Sequence, residues 1–246
     1  MFGKKIFIVI KLNKRLCIIL MLLLISLWMM TMAKGHNLQS IFHHGTQQMI
    51  VIDPGHGGVD GGTSYGPHLL EKNINLDIAL ELRKYLKRKN FYVVMTRDKD
   101  ISLENRSNLN DSRYKRDLDA RKRIINDGSE NIFVSIHVNA YPENEKVRGI
   151  KIFYYPTAEE SQSLAKAIGT VVNDSVYKKL LKDNHTKVEI IPNDYYILRE
   201  TKTPGVLIEA GFITNVQDRK LLNDKKYKKK VAEAIGEGII RYVINE

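Results

Sequence analysis

Met49-Ile50-Val51-Ile52-Asp53-Pro54-Gly55-His56-Gly57-Gly58-Val59-Asp60 is an apolar, largely β-branched run that breaks into proline and three glycines. Such a run reads as a strand entering a tight loop. The loop presents one imidazole, His56, at the carboxyl end of that strand, which is the edge where open α/β sheets bind ligands. A solvated loop histidine is the competing explanation, and the segments that follow bear on the choice.

From Met49 onward, strand-like and helix-like segments alternate. This predicts an α/β fold, a single domain with a mixed, mostly parallel sheet covered by helices on both faces. Leu70, Ile74, Ile78 and Leu82 recur every four residues and place one apolar stripe on a helix from about Glu71 to Lys89. Phe91 to Met95 reads as a strand, Lys99 to Lys115 as a long polar loop and Leu118 to Asn126 as a helix. Ile132 to Val138 and Gly149 to Tyr155 read as strands, and Ala158 to about Val176 as a helix. Tyr195 to Leu198 and Val206 to Ile208 look extended, and a last amphipathic helix runs from about Lys226 to Val243.

The chain has 246 residues and is 43% hydrophobic, enough for a sizeable core without disulfides. Its one cysteine, Cys17, can make no intramolecular bridge, and it stands at the start of an apolar run rather than after it, unlike a lipid-attachment cysteine. Residues 1–33 read as a signal peptide or an N-terminal membrane anchor: Lys4, Lys5, Lys11, Lys14 and Arg15 precede the apolar stretch Leu16 to Met30. Those charges stay on the cytoplasmic side, so the remainder of the chain faces outward. Residues 34–48 are polar and aperiodic and read as a linker, which offers His36, His43 and His44 no rigid scaffold for a metal. Lys and Arg total 39 against 28 Asp and Glu. The surplus lies partly in the export segment and otherwise on helix faces, and no nucleic-acid module accompanies it, so an anionic envelope polymer or lipid is the better partner class.

In Ser135-Ile136-His137-Val138-Asn139 the alternation of a strand sends Ser135, His137 and Asn139 to one face. Taken alone, His137 is as well explained as a satisfied core histidine. With His56 at a neighbouring strand end it supplies two imidazoles that can converge on a metal. Glu71 opens its helix, where a carboxylate favours the dipole, so capping rivals a ligand role. Zinc sites often combine two His with one Glu and keep a position open for water. Glu209 follows Val206-Leu207-Ile208 and precedes Ala210-Gly211, at a strand end and largely out of water. Burial raises a carboxyl pKa, which suits a proton carrier, whereas pairing with Arg199 or Lys202 would make it structural.

Together DPGHGGVDGG (53–62), EKNINLDIALELRKYL (71–86), VVMTRDKD (93–100), FVSIHVNA (133–140) and PGVLIEAGFITN (204–215) resemble the zinc-dependent N-acetylmuramoyl-L-alanine amidases of the Amidase_3 type, in the family's order. The resemblance implies a zinc amidase domain over residues 49–246, Zn²⁺ held by His56, Glu71 and His137, and Glu209 as the catalytic carboxylate. It implies cleavage of the amide between the lactyl group of N-acetylmuramic acid and L-alanine of the stem peptide in peptidoglycan. Asn139, facing the same way as His137 on its strand, is placed to bind substrate or order a ligand. Within the family the chain looks most like the spore-cortex amidases of the CwlD type, which act in forming muramic-δ-lactam. The N-terminal segment already implies an exported protein at the outer face of the membrane or the cell wall; the resemblance implies the forespore or cortex compartment and leaves room for an accessory activating protein. Asn184-His185 departs from the Asn-Arg of many relatives, and Ile213-Thr214-Asn215 from Leu-Ser-Asn. A catalytically silent glycan-binding or scaffolding member, and a zinc peptidase cutting within the stem peptide, are the alternatives.

Overall fold

The computed structural model describes residues 13–15, 19–26, 49–127 and 131–245. The chain divides into two units, Met1–Gln47 and Gln48–Glu246. In the first, residues 19–26 are helical and exposed. Most of the expected export segment, and the whole linker with His36, His43 and His44, lies outside the described residues. Among the described residues no helix is long and apolar enough to cross a membrane.

The second unit is built on a six-stranded sheet of order β4-β1-β5-β8-β6-β7. Its strands are β1 (Met49–Pro54), β4 (Tyr92–Met95), β5 (Asn131–Asn139), β6 (Lys151–Tyr154), β7 (Glu189–Pro192) and β8 (Gly205–Phe212). Four of the five pairings are parallel and β6 with β8 is antiparallel, which bears out the mixed, mostly parallel sheet. A two-stranded hairpin, β2 (Ser64–Tyr65) with β3 (Leu69–Leu70), sits between β1 and the first helix in sequence.

Helix α1 (Glu71–Arg88) forms where the four-residue apolar spacing predicts it, and Ile74, Ile78, Leu82 and Leu86 are buried along one face. Glu71 in its first turn and Lys87 and Arg88 in its last complement the helix dipole. With α3 (Glu159–Val172) and α6 (Lys225–Asn245) it covers the face carrying Ile50, Ile52, Val134, Ile136, Val206 and Ile208. Each such side chain contributes about 1.5–3 kcal/mol when fully buried. The opposite face carries Val51, Phe133, Phe153 and Leu207, covered by Ile125 of α2 (Arg113–Ile125) and by Ile197 and Leu198 of α4 (Tyr196–Arg199). Because alternate residues share a face, Asp53, Ser135, His137 and Glu209 continue this second face towards the carboxyl ends of their strands.

Several elements differ from the sequence expectation. Tyr195 to Leu198 is not a strand: Leu198 and Arg199 donate their N–H groups to the Tyr195 carbonyl, and residues 196–199 make one helical turn. A turn lets both Ile197 and Leu198 reach the same apolar cluster, whereas a strand would send them to opposite sides. Helix α2 begins at Arg113, inside the expected loop, because the Ser112 hydroxyl caps it by accepting from Lys115 N–H (3.4 Å). The 3₁₀ turn Glu104–Arg106 also interrupts that loop. The helix expected to end near Val176 continues from α3 as a π-helical stretch, Asn173–Leu181. Strand β7 and helix α5 (Val216–Leu222) are additions.

Candidate metal centre

The loop after β1 is held by two buried guanidinium groups. Arg97 donates to the carbonyls of Pro54 (2.9 Å) and Gly55 (2.8 Å), and Arg121 to those of Pro54 (2.8 Å) and His56 (2.8 Å). Arg121 is itself fixed by Asp53 (2.7 Å) and Asp117 (2.6 Å). Asp53 further accepts from Thr96 (2.6 Å) and Ser135 (2.7 Å). Burial pushes the Asp53 carboxyl up, but Arg121 and the two hydroxyls hold it below the usual carboxylate range. This network keeps His56 at φ 61°, a left-handed conformation that costs a non-glycine residue about 1–3 kcal/mol.

His56, Glu71 and His137 meet at this loop, with one potential ligand atom from each lying within 4.8 Å of the others. Glu71 Oε1 stands 3.2 Å from His56 Nε2 and 3.0 Å from His137 Nδ1. The same carboxylate accepts from Val138 N–H (3.1 Å), Asn75 Nδ2 (3.2 Å) and, through Oε2, Thr63 N–H (2.8 Å). Capping alone therefore does not account for Glu71: its carboxylate turns into the sheet edge and touches both imidazoles. On its far side His56 Nδ1 meets Asp60 Oδ2 at 2.7 Å, the kind of carboxylate partner that orients a ligating imidazole. Burial pushes the Glu71 carboxyl up, yet His137 and His56 overcome this and hold it far below the usual range. Burial alone would lower the His56 imidazole, but Glu71 and Asp60 carry it up to about 9. Two imidazoles and one carboxylate at this spacing are a donor set suited to zinc.

Glycine is required where the backbone passes under these rings. A Cβ on Gly55 would lie 2.2 Å from His137 Cε1, and one on Gly62, at φ +65°, 2.5 Å from Glu71 Oε2. Gly55→Ala is thus expected to drive the His137 ring out of the cluster and to weaken metal binding by about tenfold or more. Metal analysis alongside circular dichroism checks this, and full metal content in a folded variant would show that Gly55 does not fix the ring.

Glu209 lies beside His137 in the paired register of β8 and β5. Its Oε2 is closed off from solvent and has no hydrogen-bond partner among the described residues. Arg199, a candidate structural partner, instead pairs with Asp194 (2.8 Å) and Glu200 (3.0 Å). Burial pushes the Glu209 carboxyl up to about 7, with His137 and His56 pulling against it. Without metal, native Glu209 keeps a proton that the unfolded chain loses, from the ordinary value of 4.5 up to about 7. Its contribution to stability is full below the lower value and is lost as pH rises through the upper one, a span of about 3 kcal/mol. Relative to Glu209→Gln, the metal-free protein is therefore expected to lose about 3 kcal/mol of stability between about pH 4 and about pH 8. Urea unfolding of both proteins across that range tests it, and parallel stability curves would deny the shift.

A family model described as Amidase_3, N-acetylmuramoyl-L-alanine amidase, matches residues 50–241. The chain belongs to the Amidase_3 family. Among Amidase_3 relatives, the germination-specific N-acetylmuramoyl-L-alanine amidase of Bacillus subtilis (strain 168) is 38% identical over 196 residues, 79% of each chain. A structure of the CwlD amidase from Clostridioides difficile, in complex with the GerS lipoprotein, superposes with a TM-score of 0.71 at 37% identity, covering 81% of this chain and 100% of that one. The probable cell wall amidase LytH of Staphylococcus epidermidis (strain ATCC 12228 / FDA PCI 1200) is 32% identical over 197 residues, 78% of this chain and 57% of that protein. As an Amidase_3 enzyme of the CwlD type, the protein is an N-acetylmuramoyl-L-alanine amidase acting on peptidoglycan.

Asn139 is half-buried near the end of β5, opposite Phe212 across a register shift, and its Oδ1 accepts from Ala140 N–H (2.8 Å). His185 is exposed in the turn after the π-helical stretch, where its N–H donates to Asp183 (2.9 Å). The Asp53–Arg121–Asp117 network and Arg97 escape a reading by sequence alone. The available signal was an aspartate closing an apolar strand immediately before proline, a position that buries the charge and demands a cationic partner.

Proposed function

We propose that the protein holds a zinc ion on His56, Glu71 and His137, with Glu209 as the proton carrier of amide hydrolysis. The observation that carries this reading is the convergence of the two imidazoles on one buried carboxylate, with the unpartnered Glu209 Oε2 on the adjacent strand. The Amidase_3 family is in general zinc-dependent. A zinc ion held there supplies a Lewis acid that acidifies water and polarises the scissile carbonyl. Glu209, raised to about 7, takes a proton from the attacking water on its carboxylate and returns it to the departing alanine nitrogen. Asp60 keeps the His56 ring in place, and Asp53, Arg97 and Arg121 hold the loop beneath it. Asn139, two residues beyond His137 in β5, binds substrate or orders a ligand.

The biological setting follows the same relatives. The resemblance to a germination-specific amidase supports action in the spore cortex, in forming muramic-δ-lactam. The CwlD amidase is seen in complex with a lipoprotein, which supports an accessory partner for this chain too. Residues 1–33 serve as signal peptide or anchor and 34–48 as linker, which delivers residues 49–246 to the outer face of the membrane or the wall. Incubating purified muropeptides with the zinc-loaded protein and identifying the new terminus tests the reaction. A free alanine amino group is the expected product; a terminus farther along the stem peptide would mark a peptidase, and no cleavage a silent member of the fold.

A further inference from the structure

Strands β6 and β7 run against β1, β5 and β8, so their amino ends share a sheet edge with the carboxyl ends of the other three. Along that edge His137 pairs with Glu209, Glu209 with Lys151, and Lys151 with Glu189. Residues directly paired in a sheet project to the same face, so these four side chains form a row that starts at the metal centre. Lys151 is the only cation in the row. Its side chain is 19% exposed, and Nζ lies 5.5 Å from the centroid of the Phe212 ring. Its ion-pair partner, Glu189 at 3.0 Å, is 57% exposed on the edge strand. An ion pair with so wet a partner contributes little and is exchanged easily. The lysine is thus a mostly desolvated charge, packed on an aromatic ring, whose present counter-ion is replaceable.

The spacing fits the substrate. Strands lie about 4.8 Å apart, so Lys151 stands about 10 Å from the strand of His137 and about 5 Å beyond that of Glu209. An extended peptide advances about 3.3–3.6 Å per residue, so this distance is covered two to three residues past the scissile amide. A peptidoglycan stem peptide carries its free carboxylates just beyond its first alanine.

We propose that Lys151 is a specificity-determining residue that binds a free carboxylate of the stem peptide two to three residues beyond the scissile amide, taking it in exchange for Glu189. The peptide then lies across the strand ends from β5 towards β7. This rests on His56, Glu71, His137 and Glu209 forming the reacting centre.

The test uses the full chain loaded with zinc and two muropeptides that differ only in whether the stem carboxylates are free or amidated. Lys151→Met is expected to raise KM about tenfold for the acidic substrate, as befits one lost charge-assisted hydrogen bond, with kcat little changed. The amidated substrate should lose nothing, and Lys151→Arg should restore most of the KM. Equal losses on both substrates, or none on either, would overturn the proposal. Titration calorimetry with the free stem peptide, as acid and as amide, gives a reading that needs no turnover. The unmodified protein should prefer the acid about tenfold and Lys151→Met should not. An absent preference in the unmodified protein overturns the role of Lys151, whereas a preserved preference with no cleavage of either muropeptide overturns the reacting centre instead.

Discussion

Replacing Glu209 by Gln is expected to lower kcat by about 10² to 10⁴ while the variant folds and keeps its zinc. The carboxylate has no hydrogen-bond partner at Oε2 among the described residues to lose, and burial outweighs the pull of His137 and His56 on its proton. An amide of the same shape fits the same space but carries no proton between water and the leaving nitrogen. Glu71→Gln should behave in the opposite order. It removes the charge on which both imidazoles converge, so zinc retention falls first and excess zinc restores part of the rate. Steady-state kinetics with metal analysis across a zinc series separates the two, and recovery of Glu209→Gln with added zinc would make Glu209 a ligand.

His137→Ala carries the second large effect, a fall in zinc affinity of more than about 100-fold together with loss of activity. The substitution removes one imidazole, leaves Glu71 with a single histidine neighbour and empties the space over Gly55 that the ring fills. Metal content after dialysis against a competing chelator measures it. Equal zinc in the variant and the unmodified protein would remove His137 from the site.

Much of the architecture is legible because one signal dominates each element. The four-residue stripe of α1 buries one face of the helix, whereas the unbroken apolar runs of β1, β5 and β8 report strands buried on both faces. Elements whose formation depends on other contacts were hidden. Strand β7 is a half-exposed edge ending at Pro192, which an edge strand tolerates, so its four residues show no alternation worth reading. Helix α5 is short, and its signal lies in the cap: the Asn215 side chain accepts from Gln217 and Asp218 N–H. The turn at Tyr196–Arg199 looks extended in sequence because four bulky residues in a row have no period, and tertiary burial of Ile197 and Leu198 decides their conformation. The site residues were visible as residue types at strand and helix ends. Their convergence, and the buried aspartate–arginine network that makes it rigid, exist only in the folded arrangement.

In the proposed centre one zinc sits on His56, Glu71 and His137, with Glu209 beside it and unbound. Anomalous diffraction at the zinc edge from crystals of the zinc-loaded protein tests it most directly. The expected result is a single peak about 2.0–2.2 Å from one atom each of His56, Glu71 and His137, with the Glu209 carboxylate outside bonding distance. A peak elsewhere, or one coordinated by Glu209 in place of any of the three, would contradict the account.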